Sequence, residues 1–166
     1  MTEQEMTDCG PADHGIDPVR RLHIMAAGIR GARVVEDVLP LPYGEVWAVM
    51  ADLEGEFGRF QPDMREVRVL WSADGRVEAL ARSRYGFRAH LRGYLRPGWC
   101  WLQSRFLIVG MAAAPAPGGA TRVALTGGVR MRVPRRAPAV VPFGTAAELS
   151  RAMERLRERA GERVNG

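Results

Sequence analysis

Between Arg33 and Leu70 the hydrophobic rhythm changes twice, and this stretch restricts the fold more than any other. Residues 33–39 alternate as a strand does, with Val35, Asp37 and Leu39 on one face and Val34, Glu36 and Val38 on the other. Pro40 and Pro42 turn the chain out of that strand, since proline donates no ladder hydrogen bond. Val46, Trp47 and Met50 then recur at helical spacing, and Gly55 and Gly58 break the chain before Phe60-Gln61-Pro62. A further strand starts near Met64. Short helices inserted between the first strand of a sheet and the second form an uncommon opening, which few architectures accommodate.

Beyond Met64 the chain reads as a meander. Val67, Val69 and Trp71 alternate with Glu66, Arg68 and Leu70, and Ala73-Asp74-Gly75 supplies a hairpin turn. From Val77 to Tyr85 one face reads Val77, Ala79, Ala81, Ser83 and Tyr85, small enough to leave room beside it. Gly86 marks a bend, and from Phe87 to Leu95 the set Ala89, Leu91, Gly93 and Leu95 reads as buried opposite Arg88, His90, Arg92 and Tyr94. Pro97-Gly98 turns the chain into a strand running from Trp99 to Ile108 and on to Met111. Small residues from Ala112 to Pro117 lead to a turn at Gly118-Gly119. A last strand, Thr121 to Arg132, sets Val123, Leu125, Gly127, Val129 and Met131 against Arg122, Thr126, Arg130 and Arg132.

Val133 to Pro142 reads as a proline-spaced crossing loop. Thr145 and Glu148 have the spacing of a capping box. Leu149, Met153, Leu156 and Ala160 then form the apolar stripe of a long helix, with Glu148, Arg151, Glu154, Arg155 and Glu158 on the wet side. At the other end, residues 1–16 read as a disordered acidic tail. Residues 17–32 read as an additional helix and linker, with Asp17 as N-cap and Pro18 at the first helical position. That helix can pack on the domain, lid a cavity or join protomers; the residues leave the choice open.

Composition narrows the class. A chain of 166 residues, 46% hydrophobic, suits one domain. The N-terminus lacks the basic and apolar regions of a signal peptide, and no apolar run is long enough for a membrane span. Cys9 and Cys100 lie far apart, which argues against a disulfide framework and for a reducing cytoplasm. All 24 basic residues are arginine, and no acid occurs between Ala79 and Ala147. Two readings of that bias stand: attraction of an anionic partner, or arginines decorating the solvated face of a sheet. No dinucleotide fingerprint, nucleophile–histidine signature or metal-ligand spacing is present, so no cofactor and no metal are expected. Nucleic acid is disfavoured as a partner, because aromatics do not interleave with the arginines.

Pro42, Val46-Trp47, Asp52, Phe60 and Pro62, spaced as they are after a strand, resemble the opening of the START-like superfamily, the birch-allergen-like helix-grip or SRPBCC fold. The likeness runs from about Arg33 to the end of the chain. It implies an α+β fold over 33–166: a curved antiparallel sheet of about six or seven strands around a long C-terminal helix, with a ligand cavity between them. In particular the chain looks like polyketide cyclase or dehydratase members. The likeness implies a hydrophobic ligand or polyketide-like substrate contacted by Leu39, Trp47, Phe60, Tyr85, Trp101 and Met153. It also admits an acidic acyl carrier protein as partner, drawn to the arginines.

Candidate chemistry comes from polarity. If Leu39 points into the cavity, Asp37 goes with it, and a carboxyl in an apolar pocket keeps its proton nearer neutral pH. An Asp37 paired with an arginine at the cavity mouth is the alternative. His90, Arg92 and Tyr94 share one strand face, where imidazole, guanidinium and phenol suit proton movement and enolate binding. A solvated outer face is the alternative there. A non-catalytic carrier of a lipid, quinone or other apolar molecule fits the same fold.

Overall fold

The computed structural model describes residues 15–130 and 144–166. The acidic tail up to residue 14, the crossing loop at 133–142, and Met131 and Arg132 lie outside the described residues. Helix α1 (Pro18–Ala27) precedes β1 (Arg33–Leu39), α2 (Tyr43–Ala51) and the one-turn α3 (Phe57–Phe60). Six strands follow: β2 (Met64–Ala73), β3 (Arg76–Ser83), β4 (Arg88–Arg96), β5 (Trp99–Gln103), β6 (Leu107–Ala116) and β7 (Ala120–Val129). Helix α4 (Ala146–Asn165) closes the chain. The strands form one curved antiparallel sheet of seven, ordered β1-β7-β6-β5-β4-β3-β2. It is a meander except that β1 joins at the β7 edge, so α2 and α3 carry the chain from one edge of the sheet to the other.

Local chemistry sets the boundaries. The Asp17 carboxylate accepts the Arg20 backbone N–H at 2.9 Å and starts α1. Asp52 accepts the Gly55 N–H at 2.8 Å and turns the chain between α2 and α3. Asp74 and Gly75, at φ 52° and 74°, make the left-handed pair that a two-residue hairpin requires. Edge strand β2 is partly shielded, because Glu54 accepts the Val69 N–H at 2.8 Å.

Three readings of the sequence need correction. The strand expected from Trp99 to Met111 is two, since the Ser104 hydroxyl accepts the Phe106 and Leu107 N–H groups at 3.1 and 2.9 Å and folds the chain back. A register shift between Val69 and Trp71 puts Trp71 opposite Glu78 rather than on the face of Val67 and Val69, and its side chain is exposed. Glu148, assigned to the wet side of α4, is buried.

Each face of the sheet carries a packed cluster. The inner face packs Leu39, Val67, Val77, Ala79, Ala81, Leu91, Cys100, Leu102, Val109, Met111, Val123 and Leu125 beneath α2, α3 and the α4 stripe. The outer face holds a smaller cluster, in which Val19 and Leu22 of α1 meet Trp99, Trp101, Ile108, Ala112, Ala114 and Ala124. Gly110 makes this approach possible: a Cβ there would lie 2.8 Å from Leu22 and 2.9 Å from Trp101. Helix α1 thus packs against the domain, on the side away from α4.

Candidate functional site

Helix α4 lies against β1, β7, α2 and α3, and each tie has a visible cause. Leu149, Ala152, Met153, Leu156 and Ala160 face the sheet and are buried, as their spacing requires. Around that stripe, arginines reach three different elements. Arg157 pairs with Asp37 on β1. Arg159 grips Glu56 beside α3 through two bonds of 2.8 and 2.9 Å. Arg163 reaches Glu45 on α2 at 2.8 Å. The hydrogen bond and charge of Arg159 hold the Glu56 carboxyl below its ordinary range. Acids absent from most of the sheet are supplied by β1 and the helical insert, and these anchor the helix across the inner face.

The first turn of α4 carries a feature that motif reading missed. Glu148 is 1% exposed and Asp63, in the turn before β2, is 6% exposed. The two carboxyls adjoin, and Glu148 accepts the Gly144 N–H at 2.6 Å. Burial, then the adjoining Asp63, push the Glu148 carboxyl up to about 8. One oxygen of each carboxyl, Asp63 Oδ2 and Glu148 Oε1, is buried with no hydrogen-bond partner among the described residues. A Glu148 carboxyl that keeps its proton avoids the repulsion of the adjoining acid. The only sequence signal was the capping-box glutamate; that it turns inward toward Asp63 depends on how α4 docks.

The residues expected from the sequence divide between the faces. Leu39, Phe60 and Met153 are buried in the inner cluster, and Trp47 packs partly buried against it. Phe60 meets Phe57 edge-to-face at 5.3 Å. Asp37 lies on the Leu39 side of β1, but at the rim, partly exposed and held by Arg157. Trp101 is on the outer face beneath α1, stacked beside Trp99 with ring centres 6.3 Å apart. Tyr85 is 59% exposed in the β3–β4 turn. His90, Arg92 and Tyr94 also occupy the outer face, exposed. There Glu78 takes Arg92 at 2.6 Å and His90 at 3.5 Å, while the Tyr94 ring lies under Arg76 and Arg96. The sheet itself therefore separates them from Asp37.

Two further observations bound the chemistry. Among the described residues no group of three or more His, Cys, Asp or Glu is placed to hold a metal ion. Nor is any helix among them long and apolar enough to cross a membrane.

No family profile matches the chain, and no curated protein matches it. Solved structures do. The protein TTHA0849 from Thermus thermophilus superposes with a TM-score of 0.59 at 17% identity, covering 79% of this chain and 97% of that one. A START superfamily protein from Mycobacterium smegmatis gives 0.51 at 11% identity over 81% of this chain and 97% of the other. The Zhui aromatase/cyclase from Streptomyces sp. R1128 gives 0.50 at 19% identity over 78% and 87%. The fold is START-like. At these identities the likeness is one of fold, which many functions share.

Proposed function

We propose that this START-like chain binds a hydrophobic small molecule between the inner face of its sheet and α4. The observation that carries the reading is the chemistry of that inner face. It is apolar throughout its centre, with the Asp37–Arg157 pair at the rim and the buried Asp63 and Glu148 carboxyls at the first turn of α4, and an apolar lining with few polar groups suits an apolar ligand. Small side chains on β3 and β4, namely Ala79, Ala81 and Ala89, lie on strands beyond the main contacts of α4. Met153, with three rotatable bonds, projects from α4 into the inner cluster and can adjust its shape to a guest.

Native mass spectrometry of gently purified protein tests this directly. The expected result is a one-to-one adduct with an apolar molecule, lost on denaturation. A spectrum of bare protein, together with no change in tryptophan emission across quinones, fatty acids and fused-ring aromatics, would overturn the reading.

A second reading, a polyketide cyclase or dehydratase-like enzyme, has an observation of its own. Glu148 keeps a proton near neutral pH, and enolisation and water loss both call on such an acid. Asp37 at the rim supplies a carboxylate for the complementary role. Enclosure of a folded polyketone would contribute through orientation. Asp37→Asn and Glu148→Gln should each slow turnover of a polyketide-like substrate at least about tenfold, the lower end of what a positioned acid or base contributes. Unchanged turnover in both variants would leave binding alone as the function.

A further inference from the structure

The turns at one end of the sheet carry aromatic rings that neither the core nor the inner face uses. In the β3–β4 turn the Ser83 hydroxyl accepts the Tyr85 and Phe87 N–H groups at 3.2 and 3.0 Å, and Gly86 takes a φ of 85°. The β5–β6 turn repeats the device, with Ser104 accepting the Phe106 and Leu107 N–H groups. Serine and glycine therefore supply the turn chemistry, and nothing in it calls for an aromatic ring. Yet Tyr85, Phe87 and Phe106 stand there, 59%, 51% and 46% exposed. Strands β4 and β5 pair antiparallel with Arg92 opposite Gln103, so both turns leave the same end of the sheet.

Charge at that end is mostly of one sign. Arg84 and Arg88 flank the first two rings in sequence, and the Arg105 guanidinium lies 5.7 Å from the Phe106 ring centre. Among the described residues none of these three arginines is paired with a carboxylate. Of the acids on β2 and in the turn before it, Asp63 is buried beside Glu148 and Glu66 lies opposite Arg82.

We propose that this end of the sheet docks on the surface of an anionic phospholipid bilayer. Aromatic rings on exposed turns seat at the headgroup level, where one side of the ring meets hydrocarbon and the other water. Guanidinium groups beside them pair with lipid phosphates, and each adds to the attraction of a negative leaflet. Single-stranded nucleic acid asks for a groove that tracks its backbone, whereas rings on two separate turns suit a surface. The contact does not depend on what the inner face binds, although a bilayer is where an apolar ligand gathers.

Vesicle flotation of the full chain tests the docking. The protein should float with vesicles of phosphatidylcholine and phosphatidylglycerol, and its partition coefficient should fall at least about tenfold on phosphatidylcholine alone. R84Q/R88Q/R105Q should lose binding by about the same factor, and F87S/F106S by at least about threefold. R76Q/R96Q removes charge from the opposite end of β3 and β4 and should float as the parent does. All seven side chains are exposed, so melting temperatures should match the parent's, and the aromatic and charge variants probe the surface independently. A parent that stays soluble beside anionic vesicles would overturn the proposal, as would a loss in R76Q/R96Q equal to that in R84Q/R88Q/R105Q. Displacement by millimolar glycerol phosphate would overturn it by assigning the arginines to a soluble anion. Tighter binding to a polyuridylate strand, abolished in the same variants, would overturn it in favour of nucleic acid.

Discussion

The two faces of one sheet have been put to different uses. Alternate residues of the same strands supply both, yet the inner face is covered by three helices and the outer face mainly by the short α1. Inside, ionisable groups meet in pairs, Asp37–Arg157 at the rim and Asp63–Glu148 in a buried corner. Outside, arginines stand among aromatics and meet acids only locally. The difference teaches that the arginine bias is not one property. On α4 arginine holds the fold together; on β3 and β4 it makes a surface.

Weakening the inner face should cost most. Phe60→Ala removes a fully buried ring from beneath α4 and should lower unfolding free energy by about 3–5 kcal/mol, read by urea denaturation. Leu22→Ala on the outer face should cost about 2–3 kcal/mol, because a short surface helix can settle into the space. A larger loss than for Phe60→Ala would reverse the ranking of the faces. Gly110→Ala pushes a methyl group against Leu22 and Trp101 and should cost about 1–3 kcal/mol. Hydrogen exchange in that variant should rise first in α1, and uniform acceleration would contradict a local role.

The carboxyl pair predicts a pH dependence. Glu148 holds its proton more tightly folded than unfolded, so its contribution is fully present below about 4.5 and lost as pH rises through about 8. Stability should fall across that window with a slope of at most about 1.4 kcal/mol per pH unit for one proton. Glu148→Gln, whose amide can still donate to Asp63 and accept from Gly144, should flatten the slope. An unaltered slope would show that the dependence arises elsewhere. The smallest effect belongs to the rim: Arg157→Gln should change stability by no more than about 1 kcal/mol, since the pair with Asp37 is substantially solvated.

Several details were legible because they are local. Asp17-Pro18 starts a helix, Asp74-Gly75 turns a hairpin, and the stripe Leu149, Met153, Leu156, Ala160 is the buried side of α4. The break at Ser104 was not legible, because a serine hydroxyl caps a turn only where the chain around it already bends. The candidate site was legible only in part. Leu39, Phe60 and Met153 reached the inner cluster, while His90, Arg92 and Tyr94 lie beyond the sheet from it. Strand alternation states that two sets of residues face apart, and it is silent about which set a helix will cover.

The amino-acid order alone determined the succession of elements and the apolar side of each, since the periods of 2 and 3.6 are properties of neighbouring residues. Tertiary structure decided which face received α1, which acids met the arginines of α4, and that Asp63 and Glu148 would share a buried corner. Those outcomes join residues distant along the chain. They are fixed by packing and desolvation once the helices close on the sheet, and no local pattern encodes them.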